Sequence, residues 1–307
     1  MVSLTMQLDW LPNAQFAGLI VAQEEGWYAK QGIGLTLLPW RPYLNQVDVL
    51  RQEGNLVVST DDNLLIKAAI HHEPVVALAT MLQYSGLAYM VPKEHKIKRF
   101  EQLRGKRIGI HTDGRTGIAV ALDHVGLTPQ DVSIVEVGFE YPELLRNHEL
   151  DAMQCLAMVE PIEMEEKGFD LDLFMAKDLG YLAYAQVIAS NQRTMEREAS
   201  MLQEFLEITF DGWRAALADP DRAASYIVSQ YHKDSKIELE SRMIQAMYPL
   251  FSYQGDMQKI GMMEEERWVE SIRIVGLEGY DIGDLEIDRF INFDYSEKLN
   301  SLDGGDR

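Results

Sequence analysis

Leu8-Asp9-Trp10-Leu11-Pro12-Asn13-Ala14-Gln15-Phe16-Ala17-Gly18, running on into Leu19-Ile20-Val21-Ala22-Gln23-Glu24-Glu25-Gly26-Trp27-Tyr28, is the stretch that decides the fold. Residues 4–10 alternate apolar and polar, the period of a half-buried strand. Pro12-Asn13 stops that strand, and a helical pattern begins within a few residues. Gly26 ends the helix, and Trp27-Tyr28 and Gly32 lead into a second strand near 35–38. Strand, helix and strand in this order form the unit of an open α/β sheet. Such sheets bind ligands at the carboxyl ends of their strands. An indole and an amide therefore stand where a ligand would lie, with no evident nucleophile beside them.

The same rhythm continues downstream. A helix is expected over 46–52, a strand over 55–60, a helix over 62–71 and a buried strand over 74–81. It restarts with a strand ending at Ile110, the turn Thr112-Asp113-Gly114-Arg115-Thr116-Gly117 and a helix to Val125. A strand over 132–136, a helix over 141–147 and strands over 152–158 and 171–175 follow. From Ser190 the pattern is mostly helical. Leu202, Phe205, Leu206, Phe210, Trp213 and Leu217 make an apolar stripe, and Asp219-Pro220 starts the next helix. Residues 288–293 read as a terminal helix or an edge element. The expected fold is α/β with two lobes, each a mostly parallel sheet flanked by helices. Residues 1–86 with 188–307 form the first lobe and 87–187 the second. Short apolar crossings near 84–91 and 184–190 form a two-strand hinge.

Composition narrows the function. A chain of 307 residues can bury two cores, and 47% hydrophobic with 25% charged residues is ordinary for a soluble protein. No apolar run approaches the roughly 20 residues of a membrane span. A net charge of −21 argues against a nucleic-acid partner, which needs clustered Lys and Arg. Cys155 is the only cysteine, so an internal disulfide and a multi-cysteine metal site are excluded, and a buried structural thiol is expected. The seven His lack metal-ligand spacing, and no metal or cofactor is expected. Met243, Met247, Met257, Met262 and Met263 read as core filling. The start, Met1-Val2-Ser3, has neither a basic nor an apolar leader region, which fits a cytoplasmic protein or a mature chain behind an added Met. The tail from Ser301 reads as disordered or as a cut linker.

Several segments together carry a family resemblance. They are Leu8-Asp9-Trp10-x-Pro12-Asn13 with Ala17-Gly18, and Ala22-x-x-x-Gly26-Trp27-Tyr28 with Gly32. Pro74-Val75-Val76-Ala77 leading to Gln83, Leu103-x-Gly105-Lys106-Arg107-Ile108-Gly109, and Asp219-Pro220 complete the set. In this order the chain resembles the type II periplasmic substrate-binding proteins of ABC importers that take up thiamine pyrimidine precursors, alkanesulfonates and nitrate. Within them it is most similar to the pyrimidine-precursor branch. The resemblance implies a two-lobe periplasmic-binding-protein-like fold closing on a small planar heteroaromatic ligand. It also implies a monomer, membrane-transporter subunits as partners, and a periplasmic or extracellular location with or without a lipid anchor. Two positions depart from the branch: Gln186 stands where an acidic residue is usual, and Gln15 where His is frequent.

The site candidates each have two readings. Trp10 and Trp40 are stacking surfaces or packed aromatics. Asn13 is a ligand amide or a helix cap. Asp61 accepts from a ligand amine, or Thr60 or Asp61 caps the following helix. Gln83 and Tyr84 lie at the first crossing, and Tyr184, at the second, is a second-lobe contact. Arg115 and Thr116, in the Asp113–Gly117 turn, form an anion cradle or an ordinary capped turn. Glu160 pairs with an aminopyrimidine edge or is a surface carboxylate before a helix. Binding of an alkanesulfonate or nitrate-like anion, or service as the input module of a signalling protein, are the alternatives. An enzyme making the pyrimidine from pyridoxal phosphate and its own histidine is disfavoured. The fungal relatives with that activity use a Cys-rich iron motif absent here, although Lys67 and His71 stand four apart on an expected helix.

Overall fold

The computed structural model of the protein describes residues 1–41, 44–111, 114–138, 140–252 and 256–301. The chain divides into two compact units, one of 1–84 with 183–307 and one of 85–182.

Unit 1 opens with β1 (Val2–Gln7), α1 (Ala17–Glu24), α2 (Trp27–Lys30), β2 (Ile33–Leu38), α3 (Gln46–Val49), β3 (Leu56–Thr60), α4 (Asp62–Ile70) and β4 (Val75–Leu82). Unit 2 follows with β5 (Leu87–Pro92), β6 (Arg107–Ile110), α5 (Arg115–His124), β7 (Ser133–Glu136), α6 (Tyr141–Arg146), β8 (Ala152–Leu156), α7 (Glu160–Glu166) and β9 (Leu171–Met175). The chain then rejoins unit 1 through β10 (Ala185–Asn191), α8 (Gln192–Ala218), α9 (Pro220–Tyr226), α10 (Ile237–Phe251), α11 (Glu265–Leu277) and α12 (Phe293–Ser301).

The two sheets share one topology. Unit 1 has the order β2-β1-β3-β10-β4 and unit 2 the order β7-β6-β8-β5-β9. In each, the fourth strand in that order runs against both neighbours, and the others run one way. The stretches expected to form a hinge are thus sheet members. β5 pairs with β8 and β9 in unit 2, and β10 pairs with β3 and β4 in unit 1. Residues 183–187, expected in the second lobe, belong to unit 1, where Val187 is registered with Thr60 and Ala185 with Leu82. Ile291 bridges Ala77 of β4, so the expected edge element at 288–293 covers that strand's open side.

Local chemistry accounts for the elements. Every residue of β4 is buried, as a strand that is apolar but for Thr80 requires. Asn191 caps α8 by accepting from the Thr194 amide, and Asp219 caps α9 by accepting from Arg222. Gly26 supplies the left-handed backbone, φ +71, that lets α1 end and α2 begin. Met243, Met247 and Met263 are buried, the core role expected of them.

α1 packs closely on α8. A Cβ on Gly18 would enter the ring of the fully buried Trp213, and one on Gly212 would strike the Gly18 carbonyl. Gly18→Ala is therefore expected to destabilise the protein by about 2–3 kcal/mol, read as a lower urea midpoint at unchanged m-value. An unchanged midpoint would mean that the two helices separate without cost.

Candidate functional site

The carboxyl edge of the unit 1 sheet gathers the first group of residues. Gln7, at the end of β1, donates from Nε2 to the carbonyls of Leu8, Leu38 and Pro39 at 3.0–3.1 Å. These bonds pin together the two loops that carry Trp10 and Trp40. The Trp40 amide adds a bond to the Trp10 carbonyl at 3.1 Å. The two indoles stand 5.1 Å apart at 32°, with Trp10 39% exposed, an aromatic surface open to a planar ligand. Both residues were candidates from sequence, and the fold brings them together.

Asp9 lies beside this wall. Gln7 is registered with Val58, so continuing the parallel ladder sets Asp9 opposite Thr60, whose other neighbour is Val187 of β10. Burial pushes the Asp9 carboxyl up to about 6. Ser59 and Gln186 lean toward the carboxyl and oppose that rise. Even so, Asp9 Oδ1 is out of water with no hydrogen bond, and Ser59 Oγ and Gln186 Oε1 are equally unpartnered. Thr60 Oγ1 and Asn63 Oδ1 repeat the condition at the same edge. Buried polar atoms without partners cost about 1–3 kcal/mol each, so a cluster of them is a place prepared for hydrogen bonds from outside the chain. Gln186 holds a left-handed φ of +53 and anchors its Nε2 on the Gln15 carbonyl at 3.1 Å. Such strain in a non-glycine residue persists where the surroundings over-determine it. The two residues that depart from the pyrimidine branch thus touch, through the Gln15 backbone rather than its side chain.

Asn13, Gln83 and Tyr184 have hydrogen-bond partners within unit 1 itself. Asn13 is buried, and its Oδ1 accepts from the Gln15 amide at 3.0 Å, so the capping role holds. Asp61 sits exposed at the N-cap position of α4 without a side-chain cap bond, and Thr60 does not cap either. Gln83, Tyr84 and Tyr184 come together around Arg267. This buried guanidinium lies 4.7 Å from the Tyr84 ring and 4.0 Å from the Tyr184 ring, and donates to Gln83 Oε1 at 3.1 Å. Tyr184 is 1% exposed, and its hydroxyl accepts from the Glu264 amide at 2.9 Å. It is a core residue of unit 1, not a contact in the second lobe. Asp62 anchors the same cluster, accepting from the Tyr184 amide at 2.8 Å and Ser271 Oγ at 2.5 Å, and burial pushes its carboxyl up to about 6. Lys67 is held by Glu278 at 2.5 Å and lies 5.0 Å from the Tyr280 ring.

Unit 2 has an equivalent edge, because β6 and β8 occupy the places that β1 and β3 hold in unit 1. His111 follows β6. Its Nδ1 donates to the Val137 carbonyl at 3.3 Å, and its ring meets Tyr141 edge-on at 6.2 Å. Gln154 Oε1 accepts from the His111 amide at 3.1 Å and fills the space over Gly114 that a Cβ would need. Glu160 opens α7. Burial raises its carboxyl, against the Leu156 amide that donates to Oε2 at 2.7 Å. Arg115 is exposed and paired with Glu136 at 2.9 Å, so its charge is already matched. Thr116 is partly buried in the first turn of α5, and Thr112 and Asp113 lie outside the described residues. Cys155 is buried and its thiol pushed well up, which makes it unreactive.

Residues 13–223 match the family model described as NMT1/THI5 like. The chain belongs to the NMT1/THI5-like family. One similar protein is the riboflavin-binding protein RibY of Chloroflexus aurantiacus, 25% identical over 89% of this chain and 81% of that one. Another is the 4-amino-5-hydroxymethyl-2-methylpyrimidine phosphate synthase THI11 of Saccharomyces cerevisiae, 24% identical over 81% of this chain and 77% of the relative. A third is the formylaminopyrimidine-binding protein of Halalkalibacterium halodurans, 23% identical over 74% and 70%. Among solved structures, the periplasmic aliphatic sulphonate-binding protein SsuA of Escherichia coli superposes with a TM-score of 0.72 over 94% of this chain and 90% of that one, at 12% identity. At that identity the likeness establishes the two-lobe fold of the family.

Within this NMT1/THI5-like chain, sequence reasoning missed Asp9, Ser59, His111 and Gln154. The strand alternation puts Asp9 on the polar face with Thr5 and Gln7, so nothing local disclosed its burial.

Asp9 and Asp62 both have carboxyls raised above their unfolded value of 3.8. The folded state therefore binds more protons between about pH 4 and 6, and their contribution to stability is lost as pH rises through 6. Asp9→Asn should remove about 1 kcal/mol of the difference in unfolding free energy between pH 5 and pH 7. Urea melts at the two pH values check this, and an unchanged difference would show that Asp9 ionises as freely folded as unfolded.

Proposed function

We propose that this chain is the substrate-binding protein of an ABC importer and captures a small planar heteroaromatic molecule bearing N–H donors, of the thiamine-pyrimidine-precursor kind. The observation that carries this reading is the open Trp10–Trp40 surface beside Asp9, whose buried Oδ1 accepts no hydrogen bond. The rings stack on the ligand plane, and the carboxylate accepts from an exocyclic amine or ring N–H. Relatives named for riboflavin and formylaminopyrimidine support the same ligand class. Transporter membrane subunits as partners, a periplasmic or extracellular location and a monomeric state belong to this reading.

An anion such as an alkanesulfonate or nitrate is disfavoured. The carboxylate at the site repels it, and Arg115 and Arg267 are engaged by Glu136 and by Gln83 with two tyrosines. The synthase reading rests on the relatives that carry that name. It is opposed by the engagement of Lys67 with Glu278. A sensor module would use the same site, and the full reading frame separates it from a transport protein.

A thermal-shift panel of aminopyrimidines, flavins, alkanesulfonates and nitrate tests the proposal. An aminopyrimidine or flavin should raise Tm, a gain of about 2.7 kcal/mol at one hundred times Kd, and be recovered unchanged. Trp10→Ala should weaken binding at least tenfold, about 1.4 kcal/mol, with the ligand-free Tm nearly unmoved because Trp10 is already 39% exposed. A shift with sulfonate alone, or consumption of the ligand with loss of a histidine side chain, would overturn it.

A further inference from the structure

Unit 2 carries a second cluster at the opposite edge of its sheet from His111 and Glu160. His95 ends the single 3-10 turn Lys93–His95 after β5, and His148 lies between α6 and β8. β5 runs antiparallel to β8, so the end of one and the start of the other share that edge. There His95 Nε2 stands 3.3 Å from His148 Nδ1, and Glu94 Oε1 is 3.9 Å from the same His148 nitrogen. His95 Nδ1 lies 3.1 Å from the carbonyl oxygen of Asp151. A carbonyl only accepts, so Nδ1 carries a proton, and Nε2, which faces His148, is the nitrogen available to bind. Metal-binding imidazoles are presented in this way, one nitrogen anchored on a backbone carbonyl and the other left to bind.

The spacing fits as well. Two ligand nitrogens each about 2.0–2.1 Å from a tetrahedral ion stand roughly 3.4 Å apart. The carboxylate of Asp151 faces Arg107 at 3.5 Å and Lys106 at 3.7 Å, which leaves Glu94 to supply the negative charge. Sequence spacing hides the group, because the two histidines are 53 residues apart and only the β5–β8 pairing joins them.

We propose that Glu94, His95 and His148 bind a borderline divalent transition ion of the zinc type, with water in the fourth position. The ion clasps the turn after β5 to the loop before β8. Imidazole nitrogens select such ions over the hard, oxygen-preferring Mg²⁺.

Calorimetric titration of the metal-free full chain with ZnCl₂ tests this. One ion per chain is expected. Affinity should fall at least tenfold in His95→Ala and in His148→Ala and several-fold in Glu94→Gln, and Mg²⁺ should give no heat. Substitution with Co²⁺ should give the visible absorption of a tetrahedral site in the wild type, lost in His148→Gln, which serves should the alanine variants unfold. Absence of Zn²⁺ binding, or equal affinity in the folded His95→Ala/His148→Ala double variant, would overturn the proposal and in the second case place the ion elsewhere on this acidic surface.

Discussion

The ladder that β10 makes with β3 on one side and β4 on the other is the constraint on which unit 1 depends. It is the return of the chain after the whole of unit 2, and it runs against the strands it joins. Its far end sets the helical third in place: Asn191 donates to the Leu50 carbonyl at 2.7 Å and caps α8, and Ser190 Oγ donates to the Leu56 carbonyl at 2.6 Å. Its near end delivers Gln186 and Val187 to the carboxyl edge, beside Thr60 and Asp9. Without β10, Asp9 would lose Gln186 as a neighbour.

That placement explains the electrostatics of the site. A carboxyl at a strand end ordinarily keeps its water. Here Ser59 and Gln186 close over it without completing its hydrogen bonds, and its ionisation is displaced upward. Asp62 contrasts with it. It is more deeply buried, yet satisfied by the Tyr184 amide and Ser271, and it belongs to the packed cluster around Arg267. The two acids, both displaced upward by burial, differ in whether the chain itself supplies their partners. In the proposed function, that difference makes Asp9 the acid available to a ligand and Asp62 a structural one. Unit 2 repeats the topology with His111 and Glu160 at the corresponding strand ends, so one architectural rule places polar side chains at the carboxyl edge twice.

Much of this was legible in the sequence, and the boundary of legibility has a physical origin. Alternating periods and turn residues located β1, α4, β4 and β9, because local apolar patterning decides those elements. Trp10 and Trp40 stood out in the sequence as aromatics just past strand ends, and what local patterning does not disclose is that the fold brings the two rings together. Tyr184 was misplaced because its neighbours, Arg267 and Glu264, come from a helix far downstream. Asp9 was overlooked because its burial is imposed by a strand that follows all of unit 2. The pairing of Arg115 with Glu136 was hidden because the two stand on separate elements, the start of α5 and the end of β7.

The central claim is that the Asp9 carboxylate accepts a hydrogen bond from the bound ligand. The most direct measurement is the dissociation constant of the tightest-binding heteroaromatic as a function of pH, compared between wild type and Asp9→Asn. With the free carboxyl at about 6, the wild type should lose affinity by about tenfold per unit below pH 6 relative to the variant, and the two profiles should run parallel above it. Profiles that run parallel throughout would contradict the account and return Asp9 to the structural residues.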